Sequence, residues 1–246
     1  MEFILDVHCH TVLSGHAHST LYENASYASE IGLRFIGIAD HGPGMQGGAH
    51  KYNFTNLWSM PDVICGVRVF KGVEANIMNI DGRLDLSDKL LGRMDFVIAS
   101  LHRGIITPTE KKDHTRAIIS AMENPNVHII GHPGDKWFEI DVEAVVKAAA
   151  RTRTIIEINN QSLNPGSHRF QGNEIFVELL MACKECGVPV LASSDAHFCT
   201  NIGNFEQAKA LIQKVGLAEN EVLNTCADRF LAAVGRKKGD RAFAGV

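Results

Sequence analysis

The chain has 246 residues, 45% of them hydrophobic, and a formal net charge of −4. This length suits one α/β barrel or two small domains, and the hydrophobic share is ordinary for a protein with an apolar core. The charge offers no basic surface for long nucleic acid, no run of about eighteen apolar residues could span a membrane, and the first residues lack a signal peptide, so we expect a cytoplasmic protein.

Seven apolar runs with the length of buried strands alternate with helical stretches. These runs cover residues 3–7, 35–39, 67–73, 96–99, 127–130, 154–158 and 188–192. Continuous apolar strands joined by helices are typical of a parallel sheet buried on both faces. We therefore predict an α/β fold, a distorted (β/α)7 barrel that is TIM-like, with parallel strands and outer helices. Residues 1–246 are predicted to form this single domain, with 236–246 as a frayed tail.

The connections between the strands carry helix signals. Thr20 and Glu23 have the spacing of a capping box, which predicts a helix that Gly32 ends. Further helices are predicted over 57–65, 110–122, 142–150, 174–186, 205–215 and 228–235, and a hairpin over 77–86. Six scattered cysteines show no disulfide framework, so we expect them to be reduced, and Cys183 and Cys186 are interpreted as packing residues of one helix.

Residue types that bind metal ions follow six of the seven predicted strands. His8 and His10 end the first strand, where alternation puts both on one face and Cys9 on the other. The other ligand-type residues at strand ends are His41, Glu74, His102, His132, Asp195 and His197. His16 follows the first strand closely enough to reach the same rim. Because parallel strands of a barrel all open their carboxyl ends on one face, we expect these side chains to converge there.

The remaining histidines do not follow strand ends. His50, His114, His128 and His168 are interpreted as ordinary surface or loop residues, and His18 lies near the expected site without being a clear ligand. A single histidine near a strand end is more often structural than functional. Nine ligand types at matching positions are much harder to attribute to chance.

Several short motifs in the chain resemble those of one known family. The motifs are Ala39-Asp40-His41-Gly42-Pro43, Gly72-Val73-Glu74-Ala75-Asn76, Gly131-His132-Pro133 and Ser194-Asp195-Ala196-His197. Together with His8-x-His10 they resemble the PHP (polymerase and histidinol phosphatase) superfamily, most closely its YcdX-like phosphatase branch. The resemblance covers almost the whole chain. It implies a distorted seven-stranded barrel with three metal ions, usually Zn2+, for which Mn2+, Fe2+ or Co2+ could substitute.

The resemblance also implies how the ligands are shared. One ion would be held by His8, His10, Glu74 and Asp195, a second by Glu74, His102 and His132, and a third by His16, His41 and His197. Three divalent ions and two carboxylates leave a site charge of about +4, which suits a phosphate dianion. The expected activity is hydrolysis of small phosphomonoesters by a metal-activated hydroxide.

Two further residues are candidates for a role in this reaction. Arg103, directly after His102, is the first candidate to bind phosphate oxygens, ahead of Arg169 and Lys136. Asp40 precedes a ligand-type histidine, so it could orient a ligand by a hydrogen bond or cap the turn.

Other functions stay open at this stage. An amidohydrolase would need a bridging carbamylated lysine at a strand end, where this chain has Glu74. A non-catalytic, regulatory PHP module usually shows lost ligands, and none is lost here. A phosphodiesterase or nuclease acting on short oligonucleotides is weakened by the acidic charge. The substrate, the native metal and the oligomeric state, a homo-oligomer included, stay open.

Overall fold

The computed structural model describes residues 1–238, and side chains through residue 235. The strands are β1 (Leu5–Cys9), β2 (Phe35–Ile38), β3 (Val63–Ile64), β4 (Val67–Asn76), β5 (Phe96–Ser100), β6 (Ile129–Ile130), β7 (Ile155–Asn159) and β8 (Val190–Ser193). The α-helices are α1 (Leu21–Glu30), α2 (Lys51–Thr55), α3 (Asp88–Leu91), α4 (Lys111–Met122), α5 (Val142–Thr152), α6 (Glu174–Cys186), α7 (Glu206–Val215) and α8 (Ala227–Lys238). Within this part of the chain, no helix is long and apolar enough to cross a membrane.

The sheet has the order β1-β2-β4-β5-β6-β7-β8, and every neighbouring pair is parallel. The two-residue strand β3 pairs antiparallel with β4 and lies off this path. Helices connect most of the parallel strands, as parallel pairing requires. The predicted distorted seven-stranded barrel is confirmed.

The barrel is nearly closed between its first and last strands. At the carboxyl end, the backbone nitrogen of His10 donates to the carbonyl of Ala196 over 2.9 Å. Further down, the amide side chain of Asn224 lies between the strands. Its Nδ2 donates to the carbonyls of Leu5 (3.1 Å) and Ala192 (2.8 Å), and its Oδ1 accepts from the Ala192 nitrogen (2.8 Å). One side chain thus satisfies backbone groups that a direct strand pair would otherwise satisfy.

An apolar cluster fills the amino end of the barrel. It takes side chains from the barrel strands and from α8, among them Leu5, Val7, Phe70, Phe96, Ile98, Ile129, Ile155, Leu191 and Phe230. The Phe96 ring needs Gly72 beside it, because a Cβ there would lie 2.3 Å from a ring carbon. The Phe230 ring of α8 lies 5.6 Å from that of Phe70 and closes this end. Any ligand must therefore enter from the carboxyl ends of the strands.

The alternation of inward and outward side chains along strand β1 is interrupted partway along its length. Leu5 and Val7 point into the barrel, whereas Cys9 packs in the outer apolar layer beneath the helices. Regular alternation would have turned Cys9 inward with Leu5 and Val7. The pairing of β1 with β2 is irregular between Asp6 and Cys9, and this irregularity turns His8 inward instead. The expected orientation of Cys9 is therefore observed, for a reason that alternation alone does not supply.

One local prediction was wrong, and a second holds only in part. Residues 57–65 are not a helix: one 3-10 turn covers Leu57–Ser59, and β3 follows. Met60 is extended (φ −76°, ψ 138°), because the proline after it disfavours the helical conformation. The hairpin predicted over 77–86 is reduced to a single antiparallel bridge between Ile77 and Leu84. Helix α8 ends at Lys238, and residues 239–246 lie outside the described residues, so fraying of the segment 236–246 stays a prediction.

Two histidines assigned to the surface are buried. His114 Nε2 accepts from the Thr109 nitrogen (2.8 Å), and its Nδ1 lies 3.0 Å from the Glu139 carbonyl. His128 Nδ1 accepts from the Val97 nitrogen over 3.0 Å. Both histidines are structural, because they satisfy backbone groups that the helices and strands leave unpaired.

Candidate metal centre

The nine ligand-type residues meet at the open end of the barrel, around the carboxylate of Glu74. Glu74 Oε1 lies 3.2 Å from His102 Nε2 and 3.1 Å from His132 Nε2. Glu74 Oε2 lies 3.4 Å from His8 Nε2 and 2.7 Å from His41 Nδ1. The two oxygens thus face two different groups of imidazoles. The bridging role that the sequence resemblance implies for Glu74 stays a prediction.

The two carboxylate oxygens of Asp195 also face different partners. Its Oδ1 lies 3.2 Å from His10 Nε2 and 3.6 Å from His8 Nε2. Its Oδ2 accepts from the guanidinium of Arg169 and, over 3.2 Å, from Asn159 Nδ2. One oxygen is therefore bound by the protein, and the other faces the histidines.

The three residues assigned to the third ion also lie together. His16 Nε2 and His197 Nε2 are 2.9 Å apart, and their ring centroids are separated by 4.6 Å. The His16 ring lies 5.0 Å from that of His41. His41 Nδ1 also contacts Glu74 Oε2. The group of His16, His41 and His197 therefore adjoins the residues assigned to the other two ions.

Four buried atoms at the centre make no hydrogen bond of good geometry: His8 Nε2, His10 Nε2, His41 Nδ1 and Glu74 Oε2. Their nearest polar neighbours are one another and Asp195, as in the 2.7 Å contact of His41 Nδ1 with Glu74 Oε2. Buried polar atoms are rarely left unpaired in proteins. Their ligand atoms form groups that lie within 4.8 Å of one another: His10 with His41 and His197, His8 with His10 and Glu74, and His41 with Glu74 and His102. Imidazole nitrogens and carboxylate oxygens at this spacing fit zinc or a neighbouring divalent ion.

The electrostatic environment keeps two central histidines neutral. Burial lowers the pKa of His10 well below its ordinary range, and His41 and His197 lower it further. Burial likewise lowers the pKa of His102 to about 4, although Glu74 opposes this effect. Neutral imidazoles present a lone pair, which is the form that binds a metal ion.

Glu74, Asp195 and His8, in contrast, are held in their charged forms. Burial raises the pKa of Glu74 and Asp195, but the surrounding histidines, and Arg169 in the case of Asp195, outweigh it and hold both pKa values well below the ordinary range. Burial lowers the pKa of His8, yet Glu157, Glu74 and Asp195 raise it well above its ordinary value. A proton on His8 therefore compensates the carboxylates, and a metal ion would displace it.

The sequence did not predict most of the residues that hydrogen-bond to the outer ring nitrogens of the ligand-type histidines. Asp40 accepts from the Thr11 nitrogen (2.7 Å) and from Ser14 Oγ (2.7 Å), and Ser14 Oγ lies 3.0 Å from His10 Nδ1. Asp40 therefore reaches a ligand-type histidine through Ser14, and among the described residues its side-chain hydrogen bonds go to Thr11 and Ser14 and not to its own turn. Asn76 Oδ1 lies 2.8 Å from His102 Nδ1.

Glu157 is a partner of the ligand-type residues that was also missed from the sequence. It is fully buried in β7, one position before the predicted end of its strand, and lies 2.6 Å from His8 Nδ1. A charged residue inside the apolar run Ile155–Ile158 was the available clue, since an ionised carboxylate is buried only with partners.

A cavity of about 680 Å³ opens above the centre. Its lining includes His102, Arg103, Trp137, Arg169, His197 and Phe198.

The Arg103 guanidinium stacks on Trp137, 3.9 Å from the ring centroid, and Lys136 Nζ lies 4.9 Å from the same ring. Of the three candidate cations, Arg169 contacts a ligand-type residue, and Arg103 lies in the cavity wall. His18 and His168 also line the cavity, whereas His50 caps α2 elsewhere.

No family model matches the chain. Among curated proteins, it is 45% identical to a probable phosphatase of Caldanaerobacter subterraneus subsp. tengcongensis, covering 93% of this chain and 90% of that one. It is 41% identical to a probable phosphatase of Acetivibrio thermocellus, covering 97% and 98%.

Solved structures share the fold at lower identity. The histidinol phosphate phosphatase of Lactococcus lactis subsp. lactis, crystallised with zinc, L-histidinol and phosphate, has a TM-score of 0.60 at 19% identity over 87% of this chain and 94% of that one. A chain of archaeal ribonuclease P, determined with mature tRNA, has a TM-score of 0.60 at 15% identity over 98% and 94%. Identity and coverage with the curated relatives show the family: the chain belongs to the family of these probable phosphatases.

Proposed function

We propose that the barrel hydrolyses phosphomonoesters of small molecules with three divalent ions, zinc first among them, and that it belongs to the YcdX-like branch. The observation that carries this proposal is the set of buried nitrogens and a carboxylate oxygen without hydrogen bonds of good geometry beneath the cavity. The Lactococcus lactis relative, which holds zinc, L-histidinol and phosphate on the same fold, supports it.

The proposed ligands are the nine residues of the centre: His8, His10, His16, His41, Glu74, His102, His132, Asp195 and His197. Ions held there would neutralise phosphate oxygens and lower the pKa of bound water toward about 7. Arg169 binds Oδ2 of Asp195 and so leaves Oδ1 for the centre. Asp40 holds Ser14, which in turn holds His10.

The cavity favours a small substrate. Its volume of about 680 Å³ lies within the range of small-molecule sites. Arg103 lies in the cavity wall, where its guanidinium can reach an anionic oxygen of a bound ligand. We propose Arg103 as a binding residue for the phosphorylated substrate.

Metal content and chelation test the proposal. Plasma mass spectrometry of the purified chain should find about three ions per chain if the family ligand set is kept. Hydrolysis of p-nitrophenyl phosphate should stop with a chelator and return with zinc. A chain without bound metal, or hydrolysis that persists in chelator, would refute the proposal.

The bond type is tested with a matched pair of substrates. p-Nitrophenyl phosphate should be hydrolysed far faster than bis(p-nitrophenyl) phosphate, because a monoester dianion suits a strongly positive centre. The reverse order would identify a phosphodiesterase. In the same assay His102→Ala should abolish hydrolysis, and His50→Ala, at an exposed histidine that caps α2, is the matched control. A panel that includes histidinol phosphate and sugar phosphates would then rank substrates.

A further inference from the structure

We propose that Glu157 is a positioning residue that orients two ligands of different ions, His8 of the first and His132 of the second. The inference rests on the proposed three-ion centre and adds a residue outside its ligand set. Glu157 is fully buried on β7, the one barrel strand without a ligand-type residue at its predicted end.

Four donors surround the Glu157 carboxylate. Oε1 lies 2.6 Å from His8 Nδ1 and accepts from Ser193 Oγ over 2.5 Å. Oε2 accepts from the backbone nitrogen of His132 over 2.6 Å and from Asn159 Nδ2 over 3.2 Å. Each oxygen therefore accepts two hydrogen bonds, which an ionised carboxylate can do. The two halves of the carboxylate hold two different strand ends.

The bond to His8 determines which of its nitrogens faces the centre. With hydrogen on Nδ1 bound to Glu157, the lone pair of Nε2 is left for an ion. Nε2 lies 3.4 Å from Glu74 Oε2 and 3.6 Å from Asp195 Oδ1, the carboxylates proposed to share that ion.

The bond to His132 holds its backbone in an uncommon conformation. His132 has φ of 32°, in the left-handed region that non-glycine residues seldom adopt. Its backbone N–H donates to Glu157, and its ring Nε2 lies 3.1 Å from Glu74 Oε1. This conformation aims the ring at the bridging carboxylate. Such strained residues persist only where their surroundings hold them.

A glutamine at this position cannot replace the carboxylate. Its amide has one acceptor oxygen and one NH2 group, whereas all four neighbours donate. In Glu157→Gln, the NH2 group must face either the His8 side or the His132 side. At least one of the two ligands then loses its orientation, although the side chain keeps its size.

Zinc titration against a chromophoric chelator tests this proposal. In Glu157→Gln, at least one of the two sites that use His8 or His132 should bind zinc about 10- to 100-fold more weakly. The third site, with His16, His41 and His197, should keep its affinity. Glu157→Asp, which restores a carboxylate, should recover part of the loss. Glu143→Gln, an exposed glutamate of α5, is the matched control.

The outcomes separate this inference from the proposed function. If wild-type protein binds no zinc, the three-ion function fails. If wild-type protein binds three ions and Glu157→Gln binds them equally well, the positioning role fails. Nitrogen NMR of labelled histidine uses the zinc-loaded wild-type protein, so its result does not depend on whether a variant folds. It should find hydrogen on Nδ1 of His8, and hydrogen on Nε2 would overturn the proposal.

Discussion

At the scale of single residues, the centre depends on which ring nitrogen each histidine turns inward. The inner nitrogen faces the centre because the other nitrogen has a partner: Glu157 for His8, Ser14 for His10, Asn76 for His102 and the Asp195 carbonyl for His197. Such partners fix the orientation and tautomer of a ligand, so their loss weakens metal binding without removing a ligand.

Arg103 is tested by its effect on substrate binding. Arg103→Ala should raise KM for a phosphomonoester about 10-fold or more, because a charged hydrogen bond contributes about 1.5–3 kcal/mol. Steady-state kinetics with the zinc-loaded enzyme measures the change. Arg116→Ala, which removes an exposed arginine paired with Asp81, is the matched control. An unchanged KM for Arg103→Ala would remove it from the substrate site.

At the scale of elements, the irregular end of β1 is the feature that places two ligands. Leu5 and Val7 fill the barrel, and the altered pairing then turns His8 and His10 into the centre while Cys9 packs outward. Such irregularities re-aim side chains next to active sites. Here it lets one strand supply both apolar packing and ligand-type histidines to the same interior.

Cys9→Ala tests this orientation. Because the thiol packs against the outer apolar layer, zinc content should stay that of the wild-type chain. The free energy of unfolding should fall by about 1 kcal/mol, since buried volume is lost. Metal analysis and denaturant unfolding measure the two effects. A loss of zinc would place the sulfur in the centre.

At the scale of the whole molecule, closure of the barrel depends on Asn224. Its side chain makes three hydrogen bonds to backbone groups of β1 and β8. Asn224→Ala should lower the free energy of unfolding by about 3 kcal/mol, because buried backbone groups lose their partners. Denaturant unfolding, with Asn220→Ala at an exposed site as control, measures this change. An equal effect of the two variants would show that closure does not depend on Asn224.

The sequence predicted the barrel and the clustering of the strand-end residues because both follow from the repeated pattern of apolar strands and helices. Seven apolar runs define parallel strands, and parallel strands bring their carboxyl ends together. Glu157 was missed because its role depends on contacts with His8 and His132, far away in the chain. The helix predicted over 57–65 failed because one proline outweighed weak local preferences.

The joining of β1 to the segment around Asn224 has a consequence for biosynthesis. His8 and His10 leave the ribosome long before Asp195 and the closing amide of Asn224. Contacts of such sequence separation form late and slowly. The centre is therefore assembled only after Asp195 and His197 have been made, so a nascent chain that ends before them carries histidines but not the complete centre.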